Sequence, residues 1–304
     1  MFRKIIFFAL LITLEAWGAP CCGTTANNPS LITGDDSFQI TSTFSAAQVV
    51  AEASVKGEIK ERSQSDSEQS QLFRLDVATL LSDRLQLGLT LPMQRRARVR
   101  GAGSADSMGL GDVSASLAYE LIPEWSYSLA IPKIFLFTGG ILPTGGSLYD
   151  AKELYAVDSR GRGFYGLSVG ALILKSWGNF DLSLLIEGHH FFPKEKSTEL
   201  GNVKFTSGLG NAQTFGLGWS PYGGALRLGL AISRSHEGAV NTTGIFEGQG
   251  QPVELWNSSL QAGYLISDDS SINLNFSDQT FLARSSNVAL NRSLAFVFQK
   301  RWER

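Results

Sequence analysis

The chain has only two cysteines in 304 residues, and both, Cys21 and Cys22, stand near its start. A pair at one end cannot staple the remainder, so a disulfide scaffold is excluded. Charge is scarce as well. Asp, Glu, Lys and Arg make up 18% of the residues and nearly cancel, leaving a formal net charge of −2. Without a basic surplus there is no electrostatic footprint for nucleic acid. No apolar run approaches the ~18 residues that a membrane-spanning helix requires. What the chain does hold is 43% hydrophobic residues, 11% aromatics and 32 glycines. That is too apolar for a disordered chain. Many glycines and many apolar residues, with no long apolar run, are consistent with strands that carry one greasy face. The fold class this implies is all-β, a transmembrane antiparallel up-and-down barrel.

The first twenty residues read as an export signal. Arg3 and Lys4 form a basic start, residues 5–14 are apolar, and residues 15–20 (EAWGAP) are a more polar exit with small residues. This tripartite pattern marks a secretory signal peptide, and its apolar part is too short to span a bilayer. Cleavage after Gly18, with Ala16 and Gly18 at the recognition positions, divides the chain into three parts; residue 20 is the latest alternative. Residues 1–18 are the signal, 19–36 an N-terminal periplasmic segment with Cys21-Cys22, and 37–304 the barrel. Pro20 stands where a lipid-anchored cysteine needs a small residue before it, and the Cys pair lacks metal-ligand spacing.

From residue 37 onward, segments of ten to fourteen residues alternate apolar and polar side chains. A period of two places one kind on each face of a strand. In residues 84–93, Leu85, Leu87, Leu89 and Leu91 point one way, and Gln86, Gly88 and Thr90 the other. The pattern predicts about twelve strands: 37–47, 71–81, 84–96, 110–121, 126–142, 163–175, 179–192, 209–219, 224–235, 254–266, 270–282 and 289–302. The joints take turns. Short ones lie near residues 83, 124, 178, 222 and 268, and longer polar ones near 48–70, 97–109, 143–162, 193–207 and 236–253. An even number of strands with short turns at one end and long loops at the other is the pattern of an outer-membrane barrel. Trp125, Tyr127, Trp177, Trp219, Tyr222 and Trp302 flank the short turns, where an interfacial aromatic girdle belongs.

Two short motifs add a resemblance. Residues 108–120 (MGLGDVSASLAYE) contain Gly109, Leu110, Gly111 and Asp112, and residues 141–146 (ILPTGG) contain Pro143, Thr144 and Gly145. Together they resemble the outer-membrane channel proteins associated with the MetA pathway of phenol degradation. Those proteins share a Gly-Leu-Gly-Asp strand opening and a Pro-Thr-Gly strand ending. The resemblance extends, by architecture, over most of residues 37–304. It implies a barrel that passes small, often hydrophobic or aromatic, compounds. The chain departs from the usual bacterial barrel at its end, where Glu303 and Arg304 follow the aromatic Trp302.

If the polar faces look inward, Arg74, Asp76, Asp112, Glu120, Asp181, Glu187, His189 and Arg227 are candidate lumen-lining residues. They could select solutes, or simply pair with one another to satisfy a narrow interior. His189 and His190 are adjacent and face opposite ways, so they cannot chelate together, and no metal or other cofactor is expected. The sequence Ser235-His236-Glu237 invites comparison with a twelve-stranded membrane phospholipase, but His236-Glu237-Gly238 lacks the nucleophile in the required place, so no enzyme is expected. The function read from the sequence is a passive outer-membrane channel for small solutes. The rival is a structural or interaction barrel with a plugged lumen, and the remote rival a lipolytic enzyme. The expected surroundings are outer-membrane lipid and a small solute, with no nucleic acid, and the expected state is a monomer. The joint 143–162 mixes apolar and charged residues. Its Leu148, Tyr149, Leu154 and Tyr155 are expected to fold over or into the mouth and constrict it. Deleting residues 148–158 is then expected to raise single-channel conductance in planar bilayers; unchanged conductance would overturn that reading.

Overall fold

The computed structural model describes residues 29–304 apart from 64, 125–129, 199–200, 222–223 and 246. Twelve antiparallel strands follow one another around a wall. They are β1 (Asp36–Ala53), β2 (Asp66–Leu80), β3 (Leu85–Arg100), β4 (Val113–Ile122), β5 (Lys133–Leu142), β6 (Gly166–Trp177), β7 (Phe180–Phe191), β8 (Gly210–Trp219), β9 (Leu226–Glu237), β10 (Val253–Ser267), β11 (Ser270–Asp278) and β12 (Val288–Glu303). Each pairs with its neighbours in sequence, and β12 returns to β1 in a register running from Asp36↔Glu303 to Ala53↔Val288. The wall is therefore closed.

Alternation sets which side chains face which way. On β3, Leu87, Leu89 and Leu91 are exposed, while Gln86 between Leu85 and Leu87 is 2% exposed. The same outward apolar row continues through Leu117, Leu136, Val169, Leu217, Leu230, Leu260 and Phe296. A belt of this extent far exceeds what a protein in water exposes. It is the lipid-facing surface of an outer-membrane barrel. Among the described residues no helix is long and apolar enough to cross a membrane; the strands do the crossing. Trp177, Trp219 and Trp302 are exposed beside the short-turn end, whereas Trp125, Tyr127 and Tyr222 lie outside the described residues.

All twelve expected strands are present, and several differ in extent for local reasons. The strand expected from 126 begins, among the described residues, at Lys133 after Pro132, which has no N–H for the ladder; 126–129 lie outside the described residues. The joint expected at 97–109 is partly strand: β3 runs to Arg100 and turns into a second arm, Gly103–Leu110, that pairs back on it. This arm and β4 share the edge of β3, and the chain kinks between them at Gly111-Asp112, where Gly111 N donates to Pro92 O at 2.9 Å. At the long-loop end, β1 and β2 also extend past their expected limits. A second sheet forms there from four short strands, Lys194–Thr198, Gly201–Ser207, Val240–Gly244 and Gly248–Gln249.

The outward row makes a quantitative demand. Leu217→Arg places a charge on the lipid face of β8 and is expected to destabilise the barrel by ~2–4 kcal/mol. Reversible unfolding from lipid vesicles, compared with the wild-type chain, would check this.

Candidate functional site: the barrel lumen

The inner surface has two unlike walls. On β1, β2, β11 and β12 it is polar, with Gln39, Thr43, Asp76, Asn275 and Gln299 buried. On β4 to β7 it carries an apolar patch set among polar residues such as Lys133, Ser183 and Glu187. Phe135, Phe137, Leu172 and Leu185 are buried there in one cluster with Ala118, and Leu174 packs against it. A second apolar cluster, of Ile141, Phe164 and Phe191 with Tyr149, Phe205 and Val240, lies towards the long-loop end. The expectation that hydrophilic side chains alone fill the middle is thus corrected on this side. A signal was available, because residues 134–137 (IFLF) and 184–186 (LLI) are apolar at both parities. A strand apolar on both faces has apolar side chains inside as well as towards lipid.

The cluster is completed by a residue from outside the wall. Leu31, from the segment before β1, packs among Phe135, Phe137 and Leu172 and is 5% exposed. Residues 29–34, read from the sequence as part of a periplasmic segment, therefore lie inside the barrel, and residues 19–28 lie outside the described residues. This strap has no strand partner, so side chains satisfy its backbone. Ile32 N donates to Gln86 Oε1 at 2.6 Å, Gln86 Nε2 donates to Ile32 O at 3.2 Å, and Lys133 Nζ donates to Thr33 O at 2.9 Å. The strap also needs Gly88, where a Cβ would come 2.6 Å from Ser30 O and from Ser116 Oγ. Leaving Ile32 without Gln86 would cost roughly 1–3 kcal/mol for the unsatisfied groups. Nothing in the composition of residues 29–34 announces this placement.

The candidate lining residues fall into separate sets. Arg74 Nε donates to Asp76 Oδ2 at 2.8 Å, and Thr90 donates to the other Asp76 oxygen at 2.7 Å. Arg227 grips both oxygens of Asp181 at 2.5 and 3.0 Å. This fork passes beside Gly218, where a Cβ would stand 2.1 Å from the guanidinium. His189 lies between two glutamates, with Nε2 2.9 Å from Glu237 and Nδ1 3.3 Å from Glu187, and Arg162 donates to Glu237 at 2.6 Å. Glu120 is 3.7 Å from Lys133. Ser235, His236 and Glu237 are consecutive on β9, so His236 faces away from the side that the other two share.

Asp112 has a different task from that of a strand-entry carboxylate seeking a lumen partner. It accepts from Gly145 N at 3.0 Å and from Arg162 N at 2.6 Å, and so ties together the two ends of the loop that joins β5 to β6. Thr144 completes the clamp by donating to Gly111 O and accepting from Val113 N. The two quoted motifs, Gly-Leu-Gly-Asp and Pro-Thr-Gly, are therefore two halves of one clamp.

The clamped loop sits at the rim. Arg96 donates to Ser159 O, Arg160 donates to Ser107 Oγ, and Tyr155 OH reaches Arg100 O at 3.4 Å. Val157 is 2% exposed and Tyr149 stacks 4.2 Å from Phe205. Leu148 and Leu154, expected to fold over or into the mouth, are 64% and 57% exposed and so are not packed into the loop's apolar contacts. Val157 and Tyr149 supply the apolar anchorage instead. Asp150 ties the loop to the outer sheet, accepting from Lys194 at 2.6 Å with Lys196 at 3.1 Å. The hydrogen bond from Lys194, together with that from Ser147, holds the Asp150 carboxyl well below the usual carboxylate range.

No protein-family model matches the chain, and no curated protein matches it. Solved structures do. An outer membrane channel from Pseudomonas putida F1 is 12% identical, aligns over 92% of this chain and 100% of its own, and has a TM-score of 0.66. The translocator domain of the autotransporter NalP from Neisseria meningitidis is 10% identical over 88% of this chain and 89% of its own, with a TM-score of 0.47. The Pseudomonas putida toluene transporter TodX is 10% identical over 90% and 91%, with a TM-score of 0.43. The first likeness establishes a shared barrel fold; the other two add nothing to it.

Two outcomes follow from the clamp and the tie. Asp112→Ala removes the acceptor of two backbone amides and is expected to speed tryptic cleavage after Lys152 and Arg160 severalfold, with the barrel intact by heat-modifiable migration. The depressed carboxyl of Asp150 means that its tie is present above the unfolded value of ~3.9 and is lost as pH falls through the lower folded value. Amide exchange in residues 147–158, corrected for intrinsic rate, is therefore expected to stay constant from pH 7 to about 4 and to rise only below it.

Proposed function

We propose that the barrel is a passive outer-membrane channel for small solutes with an apolar portion. The observation that carries this reading is the apolar inner wall. Phe135, Phe137, Leu172 and Leu185 face the interior, where a barrel serving only as an anchor could use polar side chains. Above them Ile141 and Phe191 extend the apolar surface towards the long-loop end. Leu31 of the strap covers this wall, so the path opens when the strap withdraws; a solute with a greasy face then leaves water stepwise along it, and diffusion down a gradient needs no catalytic group. The link to small aromatic compounds comes from the resemblance carried by Asp112 and by Pro143 to Gly145.

In this reading the lumen charges set the polar side of the path. Arg74 with Asp76, Arg227 with Asp181, and Glu187 and His189 with Glu237 present paired rather than free charge. Asp112 and Glu120 act through structure, the first by clamping the loop and the second beside Lys133. Paired charges select weakly for ions, which is consistent with a neutral cargo.

One observation favours the rival of a plugged barrel: the strap at residues 29–34 is buried and hydrogen-bonded within the lumen. The two readings separate in liposome swelling. The mature chain is expected to admit small neutral solutes slowly, and a chain lacking residues 19–34 to admit them several times faster. A chain that seals vesicles both with and without the strap would overturn the channel. The strap deletion is also expected to raise single-channel conductance more than deletion of 148–158 does, because Leu31 is packed inside the barrel whereas Leu148 and Leu154 are exposed.

A further inference from the structure

The outward face changes character at the long-loop end of β8 to β12, the end that faces the outside. On each of these strands the last apolar residue towards lipid is followed by a polar or charged one. Gln213 lies beyond Phe215, Arg234 beyond Ile232, Ser258 and Trp256 beyond Leu260, Asp278 beyond Phe276, and Arg292 beyond Leu294. The register makes them neighbours. Gln213 stands beside Arg234, Arg234 beside Trp256, Ser258 beside Asp278, and Asp278 beside Arg292. Residues 284–287 extend this face along the start of β10. Glu254 and Ser286 exchange backbone hydrogen bonds there, which brings Arg284 level with Trp256. The Arg284 guanidinium lies 5.7 Å over the Trp256 ring. At the same edge of β5 to β7, exposed apolar residues stand instead: Leu142, Leu167 and Phe192.

The charges are arranged so that the arginines keep an open side. Glu254 accepts from Arg234 Nε and from the Trp256 indole N–H, both at 2.9 Å, and Asp278 accepts from Arg292 Nε at 2.7 Å. The terminal nitrogens of these two guanidiniums reach only neutral oxygens, of Gln213 at 3.3 Å and Thr280 at 3.4 Å. Bonds of that length are readily exchanged for a stronger acceptor. Arg284 is exposed and, among the described residues, has no carboxylate partner. Three guanidiniums therefore face two carboxylates on a surface that borders lipid. Arg234 and Arg284 stand two strand spacings apart, about 10 Å. The planar fork of Arg matches phosphate with two parallel hydrogen bonds. Phe281, 77% exposed in the turn after β11, adds an aromatic ring of the kind that sits between headgroups and acyl chains.

We propose that this edge of β8 to β12 binds the headgroup of an anionic glycolipid of the outer leaflet, one that carries two phosphates. Arg234 meets one phosphate and Arg284, on the far side of Trp256, meets the other, while Arg292 adds its charge from β12. The acyl chains lie along the apolar row of Leu217, Leu230, Leu260, Phe276 and Leu294. Spreading the arginines over three chain segments suits a headgroup with two phosphates better than a glycerophospholipid with one. The site depends on the seat of the barrel in the membrane and not on what its lumen passes.

The test uses the mature chain purified in detergent and native mass spectrometry. EDTA is present, so that no divalent cation bridges lipid to Glu254 or Asp278. The probes, at equal concentration, are lipid A with two phosphates, its monophosphoryl form, and phosphatidylglycerol. Diphosphoryl lipid A is expected to be retained at least tenfold more than either of the others. Arg234→Gln and Arg284→Gln are each expected to lower that retention at least threefold. Replacing Arg234, Arg284 and Arg292 together by Gln is expected to abolish the preference. Arg95→Gln, on the outward face of β3 where Arg95 pairs with Asp106 at 3.0 Å, is expected to leave it unchanged. Equal retention of the monophosphoryl form or of phosphatidylglycerol would overturn the proposal. So would an equal loss in Arg95→Gln, or a preference that survives the triple replacement. Heat-modifiable migration reports whether each variant keeps its barrel, and the comparison among probes needs no variant.

Discussion

Everything in this molecule depends on one requirement: a backbone N–H or C=O in hydrocarbon must find a partner within the protein. A sheet can meet it only by leaving no edge. The pairing of β12 with β1 along nearly their whole length meets it here, and the consequences propagate inward. Strands that meet edge to edge alternate their side chains between lipid and lumen, so every apolar row outside implies a second row inside. What fills that second row decides what the barrel can do.

The interior is filled by two devices of different chemistry. Charges are brought in only as pairs or small groups, as with the two-pronged contact of Arg227 and Asp181, because an unpaired charge away from bulk water is expensive. The apolar wall on β4 to β7 has the opposite difficulty, since Phe135 and Phe137 would otherwise face water. Leu31 covers them. Bringing Leu31 there drags an unpaired backbone into the lumen, which Gln86 and Lys133 then satisfy. Strap and apolar wall form one packing unit, and moving the strap alters both.

Loop and rim follow a similar economy. The loop between β5 and β6 is long, yet its ends are drawn to one carboxylate, Asp112, and its middle is tied to the outer sheet through Asp150. Leu148 and Leu154 stay exposed because Val157 and Tyr149 already provide the loop's apolar contacts.

Strand number, strand order and the lipid-facing side of each strand are properties of local pattern, and all can be read along the chain. Leu87, Leu89 and Leu91 announce their side through their neighbours Gln86, Gly88 and Thr90, because a period of two needs only adjacent residues to be visible. The same local pattern marks Arg74, Asp76, Asp181, Glu187, His189 and Arg227 as inward, but not which of them meet. Partners lie far apart along the chain, 54 residues for Gln86 and Ile32 and 100 for Lys133 and Thr33, and are chosen by proximity across the wall. Folding of the sheet brought Asp112 to both ends of a loop and placed Leu31 against Phe137. Those are decided by three-dimensional proximity, which linear alternation cannot encode.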